Sequence, residues 1–446
     1  MSNDPEQEYF SDGMTDEVLN RLFKIGDLKV TSRTSSMKFK GAKLTAKEIA
    51  NQLGVANILE GSVQKSGNRI KITVQLIDAT TDTHLWSESY EREFKDVFVI
   101  QSEIAQGVAK GLSAKLSAAA KNTFSEIPTK NIEAYNLYLK GIFEILKVTP
   151  ESTEIGLKML NQAIALDPDF ALPYLGVALY YGMLTDFLMA PNMAMPQLKF
   201  AAQTAMAKDS TSADAHGYYG LYDLWYAWDW AKSRNELVKG IQLEDKKTLS
   251  HWFYAWLLSS QGNFVEAIRE TGRTVELEPM NSFLGASHAL MYYYHGEFDE
   301  ALRELDRVRS FDTNQPFEHF TRGHVYSKIG KLEEAIEEQQ LAHQLFAAPW
   351  SHGRLAYAYA MAGKKKEAIA ILDLLEKQSS TVYVASDVVA SVYVALGDYD
   401  RAFHFLEKGI NERAGWMIWL KVDPIWDPIR KNKRFISILE KMNLNH

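Results

Sequence analysis

The residues that could do chemistry are few in this sequence, and they are scattered. His295 and Glu297 have the His-x-Glu spacing of zinc deaminases, in which the histidine binds the metal and the glutamate moves a proton. Such a site also needs cysteine ligands, and the chain contains no cysteine, which excludes disulfides and thiol catalysis as well. His295 directly precedes a glycine that is expected to end a helix. We therefore interpret it as a helix-end residue and predict no metal site.

Other catalytic patterns are missing from the sequence. It contains no phosphate-binding glycine loop, no His-Glu-x-x-His and no Gly-x-Ser-x-Gly. The acidic pairs Glu333-Glu334 and Glu337-Glu338 are typical of the solvated face of a helix, and Asp12 is expected to cap the first helix. We therefore predict a protein that is not an enzyme, with no catalytic residues and no cofactor.

Charge and hydropathy limit the possible partners. The net charge of the 446 residues is −8, and no run of Lys or Arg suggests binding to nucleic acid. The start of the chain is polar and acidic, which is unlike a signal peptide. The most apolar stretch, 170–184, is shorter than the roughly 20 residues that span a bilayer. The sequence thus predicts a soluble chain without a membrane span.

A turn motif recurs with a fixed period in the second half of the chain. Its glycines step by 34, 34, 33 and 34 residues, and an alanine follows each of them after five residues: Gly262, Gly296, Gly330, Gly363 and Gly397, with Ala267, Ala301, Ala335, Ala368 and Ala402. The glycine suits a helix end because it adopts positive φ without penalty. The alanine suits a close contact between helices. A period of this length predicts stacked helical units that offer a long surface to partners.

These units resemble the tetratricopeptide (TPR) repeat. Ala255, Ala267 and Pro279 match its small and helix-ending positions around Gly262, whereas Thr274 departs from them; Gly323 and Ala342 match around Gly330. The resemblance implies an all-α right-handed solenoid of about eight repeats over residues 132–412, in which Trp228 takes the place of one glycine. Residues 413–446 are predicted to cap it, with a last helix beginning at Asp427 and Pro428.

Residues 1–118 have a different pattern, which predicts an α/β domain with a mixed or antiparallel sheet. Residues 28–33 look like a strand, and Thr45 with Glu48 forms a capping-box pattern before a helix. Residues 57–65 and 69–78 form a predicted hairpin, because alternate residues of the second segment are apolar. A third strand at 83–90 and a long helix after Asp96 follow. Residues 119–131 are predicted to be a linker.

This domain resembles the TolB amino-terminal-like domain. The resemblance covers nearly all of residues 4–115 and rests on five segments: 4–13, 34–36, 59–63, 75–78 and 85–86. Relatives have one more strand before position 4, so a sheet edge beside 28–33 or 57–63 is expected to be unpaired, and self-association through that edge is possible. In that family the domain often precedes TPR repeats in the extracytoplasmic part of bacterial CadC-like regulators, adenylate or guanylate cyclases and serine/threonine kinases.

The main candidate site is a row of aromatic side chains on the first helix of successive repeats. Its members fall at the repeat positions that line the inner face: Trp252, Trp256, Phe283, Tyr293, Phe317, Phe320, His324, Trp350 and Tyr357. We call this set the aromatic row. Aromatic stripes at helical spacing are usually core. The alternative is a groove that binds a protein or peptide, and the sequence leaves both interpretations open.

Taken together, the patterns predict a non-catalytic module for protein–protein interaction, scaffolding or sensing in a bacterial signalling or envelope protein. The resemblance to the TolB-like family adds an alternative. In it, the chain is the regulatory segment of a cyclase, a kinase or a CadC-like regulator whose output domain is not in this chain, and extracytoplasmic placement is implied for full-length relatives. A third hypothesis is a small-molecule sensor that uses the sheet edge of the front domain.

Overall fold

A computed structural model describes residues 5–23, 25, 28–113 and 127–444. The chain divides into two compact units, residues 1–180 and residues 181–446. The first unit therefore combines the predicted front domain with the first helix pair of the repeats. The predicted limits at residues 118 and 132 stay predictions, since most of the predicted linker lies outside the described residues.

The front part of the first unit is a small antiparallel sheet with helices. Its elements are α1 (Pro5–Phe23), α2 (Arg33–Met37), α3 (Ala46–Leu53), β1 (Asn57–Ser66), β2 (Arg69–Asp78), β3 (Thr83–Glu93) and α4 (Val97–Gly111). The three strands lie in the order β1-β2-β3 and both pairings are antiparallel. The predicted fold class is confirmed, and of the two predicted sheet types the structure has the antiparallel one.

Local sequence signals explain these elements. Ile70, Ile72 and Val74 alternate along β2 and are buried in a core that also contains Ile100 and Ile104 of α4, as expected for a sheet with one solvated face. The capping box of α3 is confirmed: the Thr45 hydroxyl accepts from Glu48 N–H, and the Glu48 carboxylate accepts from Thr45 N–H.

One predicted strand is wrong. Residues 28–32 are not part of the sheet, and the chain enters α2 at Arg33 because the Ser32 hydroxyl caps that helix by accepting from Ser35 N–H. Leu28 and Val30 instead pack as partly buried side chains against the core of the unit. Among the described residues, β1 and β3 are the edges of the sheet. Self-association through an edge stays a prediction.

Residues 127–444 contain eight helix pairs and a final short helix. The paired helices are α5 (Ile132–Ile145), α6 (Pro150–Leu166), α7 (Ala171–Leu184), α8 (Pro191–Lys208), α9 (Ala213–Tyr222), α10 (Trp230–Leu243), α11 (Thr248–Ser260), α12 (Phe264–Leu277), α13 (Ser282–His295), α14 (Phe298–Arg309), α15 (Pro316–Lys328), α16 (Leu332–Leu345), α17 (Pro349–Met361), α18 (Lys365–Gln378), α19 (Ser386–Leu396) and α20 (Tyr399–Glu412); α21 (Lys433–Lys441) follows. They form a helical repeat region that resembles tetratricopeptide solenoids.

The repeat register is confirmed. The five glycines of the turn motif all have positive φ, between 74° and 87°. The five alanines that follow them are completely buried. Trp228, which takes the glycine position one period earlier, also has positive φ, at 56°, and it follows a π-helical turn at Asp223–Ala227. The chain therefore keeps the repeat geometry even where an indole replaces glycine.

We expect Ala335→Leu to destabilise the protein by about 1–3 kcal/mol, because a larger side chain overpacks the contact at which Ala335 is buried. Chemical denaturation of the full chain measures the effect. Ala370→Leu is the matched control, since Ala370 lies exposed on the equivalent second helix of the next repeat. Equal unfolding free energies for the two variants would contradict the burial.

The end of the chain differs from its prediction. The last helix begins at Lys433, and the side chain of Asn432 caps it by accepting from Arg434 N–H. Asp427 and Pro428 do not start a helix. Asp423 and Pro424 instead start a single 3₁₀ turn, Pro424–Trp426, and Arg430 Nη2 donates to the Asp423 carbonyl at 2.8 Å. These local hydrogen bonds hold residues 423–430 in a compact series of turns.

Candidate functional site

The aromatic row lies on α11, α13, α15 and α17, the first helices of four successive repeats. Rings from neighbouring helices touch: the centroids of Trp252 and Phe283 are 5.1 Å apart, those of Phe283 and Phe317 are 5.0 Å apart, and those of Phe320 and Trp350 are 4.5 Å apart. Trp252 and Phe283 are half-buried, while the other seven members are buried. The structure therefore brings the predicted residues together in one continuous surface.

Most of this surface is covered by the chain itself. Residues 414–430, here called the groove loop, lie against it. The Trp419 ring lies 5.2 Å from that of Trp256, and the Trp416 ring lies 5.4 Å from Trp350 and 5.8 Å from Phe320. Met417, Ile418 and Leu420 are completely buried in addition. Sequence reasoning missed the groove loop, and its closely spaced tryptophans were the available signal.

Polar contacts fix the position of the groove loop. Trp419 Nε1 donates to the Ser259 hydroxyl at 3.0 Å, and the Tyr293 hydroxyl donates to Asp423 Oδ1 at 3.2 Å. At the surface, Lys328 Nζ lies 2.7 Å from Asp427 Oδ2. Burial raises the pKa of Asp423 to about 6, despite the N–H of Ile425 that donates to it. Each contact joins the loop to a different part of the repeat array.

A buried carboxylate holds the start of the groove loop. Asp186, in the connection between α7 and α8, accepts hydrogen bonds from Gly415 N–H at 3.1 Å and from the Trp225 indole. Asp186 has a φ of 64°, in the left-handed region. Burial raises its pKa to about 7, although both hydrogen bonds act in the opposite direction. The neighbouring Phe187 ring packs 5.2 Å from that of Trp350.

The raised pKa of Asp186 predicts that the stability of the protein depends on pH. The pKa of Asp186 is about 7 in the folded protein and about 3.9 in an unfolded chain, so its stabilising contribution is complete below about pH 4 and is lost as the pH rises through 7. The loss is roughly 4 kcal/mol at most. We expect the difference in unfolding free energy between the wild type and Asp186→Asn to change across this window. If the unfolding free energies of the two proteins changed in parallel from pH 4 to 8, Asp186 would not titrate in that range.

Hydrogen bonding is incomplete at the interface between the groove loop and the repeats. Several buried polar atoms have no hydrogen-bond partner among the described residues: Trp350 Nε1, Trp416 Nε1, His324 Nε2, Arg354 Nε and Asp387 Oδ1. Burial, followed by the charge of Arg354, lowers the pKa of His324 to about 3, so this ring is neutral. Buried polar groups without partners cost about 1–3 kcal/mol each. The loop therefore fits its site by shape better than by polar complementarity.

A second cluster lies between α14, α15 and α16. Carboxylate and imidazole atoms of Glu318, His319 and Glu338 lie within 4.8 Å of one another, as metal ligands do. Arg309 Nη2 lies 3.0 Å from Glu318 and 2.8 Å from Glu338, and Arg322 Nε lies 2.8 Å from Glu318. These guanidinium groups already balance the carboxylates and would repel a cation. We interpret the cluster as a structural ion-pair network.

The contacts of the imidazole in this network favour its protonated form. His319 Nδ1 lies 2.6 Å from Glu338 Oε2 and Nε2 lies 3.1 Å from the Thr313 carbonyl, so both ring nitrogens face acceptors. Burial alone would lower the pKa of His319, but these acceptors together with Glu318 raise it above the usual value. Burial likewise acts to raise the pKa of Glu338, yet His319 and Arg309 lower it overall. Both shifts favour the charged forms of the pair.

A family profile supports the repeat assignment. The profile of the tetratricopeptide repeat family matches residues 319–345, which include most of α15 and α16. Among solved structures, that of the APC/C hetero-tetramer Cut9-Hcn1 is 15% identical with a TM-score of 0.47 and covers 78% of this chain and 63% of that one. The structure of yeast Tom70 is 13% identical with a TM-score of 0.45, and the match covers 78% of this chain and 82% of that one.

Curated relatives are larger proteins. Putative adenylate cyclase 3 of Rhizobium meliloti is 33% identical over 236 residues, which is 53% of this chain and 40% of that protein. The transcriptional regulator HilA of Salmonella typhimurium is 24% identical over 254 residues, 55% of this chain and 44% of that protein. The chain thus spans less than half the length of these relatives. Within the described residues, no helix combines the length and the apolar character needed to cross a bilayer.

Proposed function

We propose that the chain is a non-catalytic protein-binding module, a scaffold or sensor of a bacterial signalling or envelope protein, and that the aromatic row is its binding surface. One observation carries the proposal: this surface already holds a polypeptide segment, the groove loop, through ring contacts and side-chain hydrogen bonds. A surface that accommodates one apolar segment has the shape and chemistry to bind another. The aromatic rings that line it are the residue types that dominate binding energy at protein interfaces.

Two members of the row offer a test in the intact protein. Trp252 and Phe283 are half-buried, and their rings lie 5.1 Å apart. We expect a photo-crosslinking side chain at position 283, in the full chain expressed in its own organism, to capture a defined protein. The same side chain at Val265, which is 73% exposed on the second helix of the repeat, is the control. Equal labelling from both positions would contradict a specific surface.

A truncation separates binding from folding. Removing an anchor residue costs at least about 2 kcal/mol of binding, a roughly 30-fold loss of affinity. We expect Trp252→Ala to abolish the crosslink from position 283 while the melting temperature changes little, since this ring is only half-buried. A crosslink that survives Trp252→Ala would show that the aromatic row is not the binding surface.

A second candidate is the regulatory segment of a larger membrane-bound cyclase, kinase or transcriptional regulator. The observation that favours it is the 33% identity with putative adenylate cyclase 3, together with the resemblance of residues 4–115 to the TolB amino-terminal-like domain. In this proposal the front domain and the repeats lie outside the cytoplasm and signal to an output domain. Sequencing the coding region on both sides of the chain tests it. An in-frame membrane span with an output domain supports the proposal, and a stop codon just upstream contradicts it.

A further inference from the structure

We propose that the groove loop is an internal ligand, which opens as a unit and gives way to a partner segment of similar chemistry. That segment carries two bulky aromatic side chains three residues apart, followed by a carboxylate. This inference rests on the proposed protein-binding function, because it names the kind of polypeptide that the aromatic row would bind and the contact that regulates the row. Four features of the structure lead to it.

The first feature is the attachment of the loop at both ends to the same repeat. The loop follows α20 directly, after Arg413, which has a φ of 58°. Beyond the loop, α21 returns to α20: the Arg434 guanidinium lies 4.7 Å from the Phe403 ring and Arg434 Nη2 lies 3.0 Å from Glu407. Residues 414–430 can therefore leave the aromatic row while both ends of the loop stay in place.

The second feature is the internal bracing of the loop. Arg430 donates to the backbone carbonyls of Leu420, Lys421 and Asp423, and its Nη2 also lies 2.9 Å from Asp427 Oδ1. Two short 3₁₀ turns, Gly415–Trp419 and Pro424–Trp426, complete the structure of the loop. Because these bonds lie within the loop, it can keep much of its shape when it moves away.

The third feature is the imperfect fit described above. Trp416 Nε1 on the loop side has no hydrogen-bond partner among the described residues, and neither do Trp350 Nε1 and His324 Nε2 on the repeat side. A partner with an acceptor facing Trp350 Nε1 and a donor facing His324 Nε2 would gain hydrogen bonds that the loop does not make, since His324 Nδ1 lies 2.9 Å from the Phe320 carbonyl and Nε2 of the neutral ring is then an acceptor. Desolvated polar groups left unpaired lower the affinity of a ligand. A partner segment that forms these missing hydrogen bonds can thus displace the groove loop.

The fourth feature is the pattern that the loop presents to the row. Trp416 and Trp419 are three residues apart, and their rings lie 5.0 Å from each other. Trp416 contacts the rings of Phe320 and Trp350, and Trp419 contacts that of Trp256. Four residues after Trp419, the Asp423 carboxylate accepts from the Tyr293 hydroxyl. The partner chemistry follows from these contacts.

The wild-type protein provides the first test. Hydrogen exchange of the full chain reports the opening of each segment. We expect the amides of residues 415–426 to exchange at least tenfold faster than those of α11, α13 and α15, because the loop opens while the repeats remain folded. Exchange of the loop at the same rate as these helices would overturn the proposal, since the loop would then be an inseparable part of the core.

Gly415→Ala is a variant that disfavours the docked loop, because a Cβ at this position would overlap the Trp225 indole. Gly272→Ala is the matched control, since its Cβ would lie no closer than 3.6 Å to His288. The probe is a fluorescent peptide with the sequence of residues 413–430, added to each full-length protein. We expect it to bind Gly415→Ala at least tenfold more tightly than it binds wild type or Gly272→Ala, because the tethered loop competes at high effective concentration.

The outcomes separate this inference from the proposed function. Faster exchange of the loop together with peptide binding to Gly415→Ala supports the internal ligand. Equal exchange rates, or a folded Gly415→Ala protein that binds no peptide, overturn it. If Gly415→Ala does not fold, the wild-type exchange rates decide alone. Photo-crosslinking from position 283 answers the separate question of whether a foreign protein binds at all, so that proposal can fail while the loop still opens.

Discussion

Replacing Trp256 with alanine is expected to lower the free energy of unfolding by about 3–5 kcal/mol. Trp256 is 7% exposed, and its ring lies 4.9 Å from Trp225, 4.4 Å from Trp252 and 5.2 Å from Trp419. Truncation removes all of these contacts and leaves a cavity that the surrounding helices can close only in part. Urea denaturation of the full chain measures the loss.

The matched variant is Trp252→Ala, which removes the same side chain four residues earlier on the same helix. Trp252 is only half-buried, so we expect a clearly smaller loss of stability. If Trp256→Ala left the unfolding midpoint unchanged, the ring would not be part of the core, and the groove interpretation of this position would stand alone.

We expect Glu318→Gln to destabilise the protein by about 3–5 kcal/mol, because it breaks a buried ion pair from one side only. Glu318 is 1% exposed and its carboxylate lies 2.8 Å from Arg322 Nε and 3.0 Å from Arg309 Nη2. The neutral amide removes the buried partner of Arg322 and leaves it only the largely exposed Asp306 carboxylate, which lies 2.8 Å from its Nη1. Thermal and urea unfolding of the purified full chain measure the change.

Two further variants define the cause. Glu337→Gln removes a charge from an exposed position of α16 and should be nearly neutral. Glu318→Met combined with Arg322→Met should recover part of the loss, since apolar side chains of similar volume replace a buried ion pair at little cost. If the double variant were as unstable as Glu318→Gln, shape and not unpaired charge would explain the effect.

The repeat register could be read from the sequence because it is a local property. A glycine such as Gly330 ends a helix through its own φ. An alanine such as Ala335 is required where the two helices of one repeat pack closely. The hairpin at 57–78 was predictable for the same reason, since alternation along β2 determines which side chains are buried. In each case the deciding contacts lie close in the sequence.

The features that could not be predicted depend on distant contacts. Whether Phe320 and Trp350 belong to a core or to a groove depends on what covers them. Trp416 covers both, and it lies in a segment without any repeat pattern. Residues 28–32 look like a strand because they alternate, but a strand also needs a partner edge. Asp427 and Pro428 resemble a helix start, yet Arg430 bonds to the carbonyls of this segment and holds it in turns.

The groove loop has a consequence for how this chain folds during synthesis. In stacked repeats folding can ordinarily begin at any unit and spread to the next one, since each unit needs only its neighbours. Here Asp186 and Gly415 are joined by a hydrogen bond, and the last tryptophans complete a core that begins more than 150 residues earlier, so contacts of long sequence separation govern its completion. Until the loop leaves the ribosome, the rings on α11 to α17 remain open to chaperones and to other nascent chains.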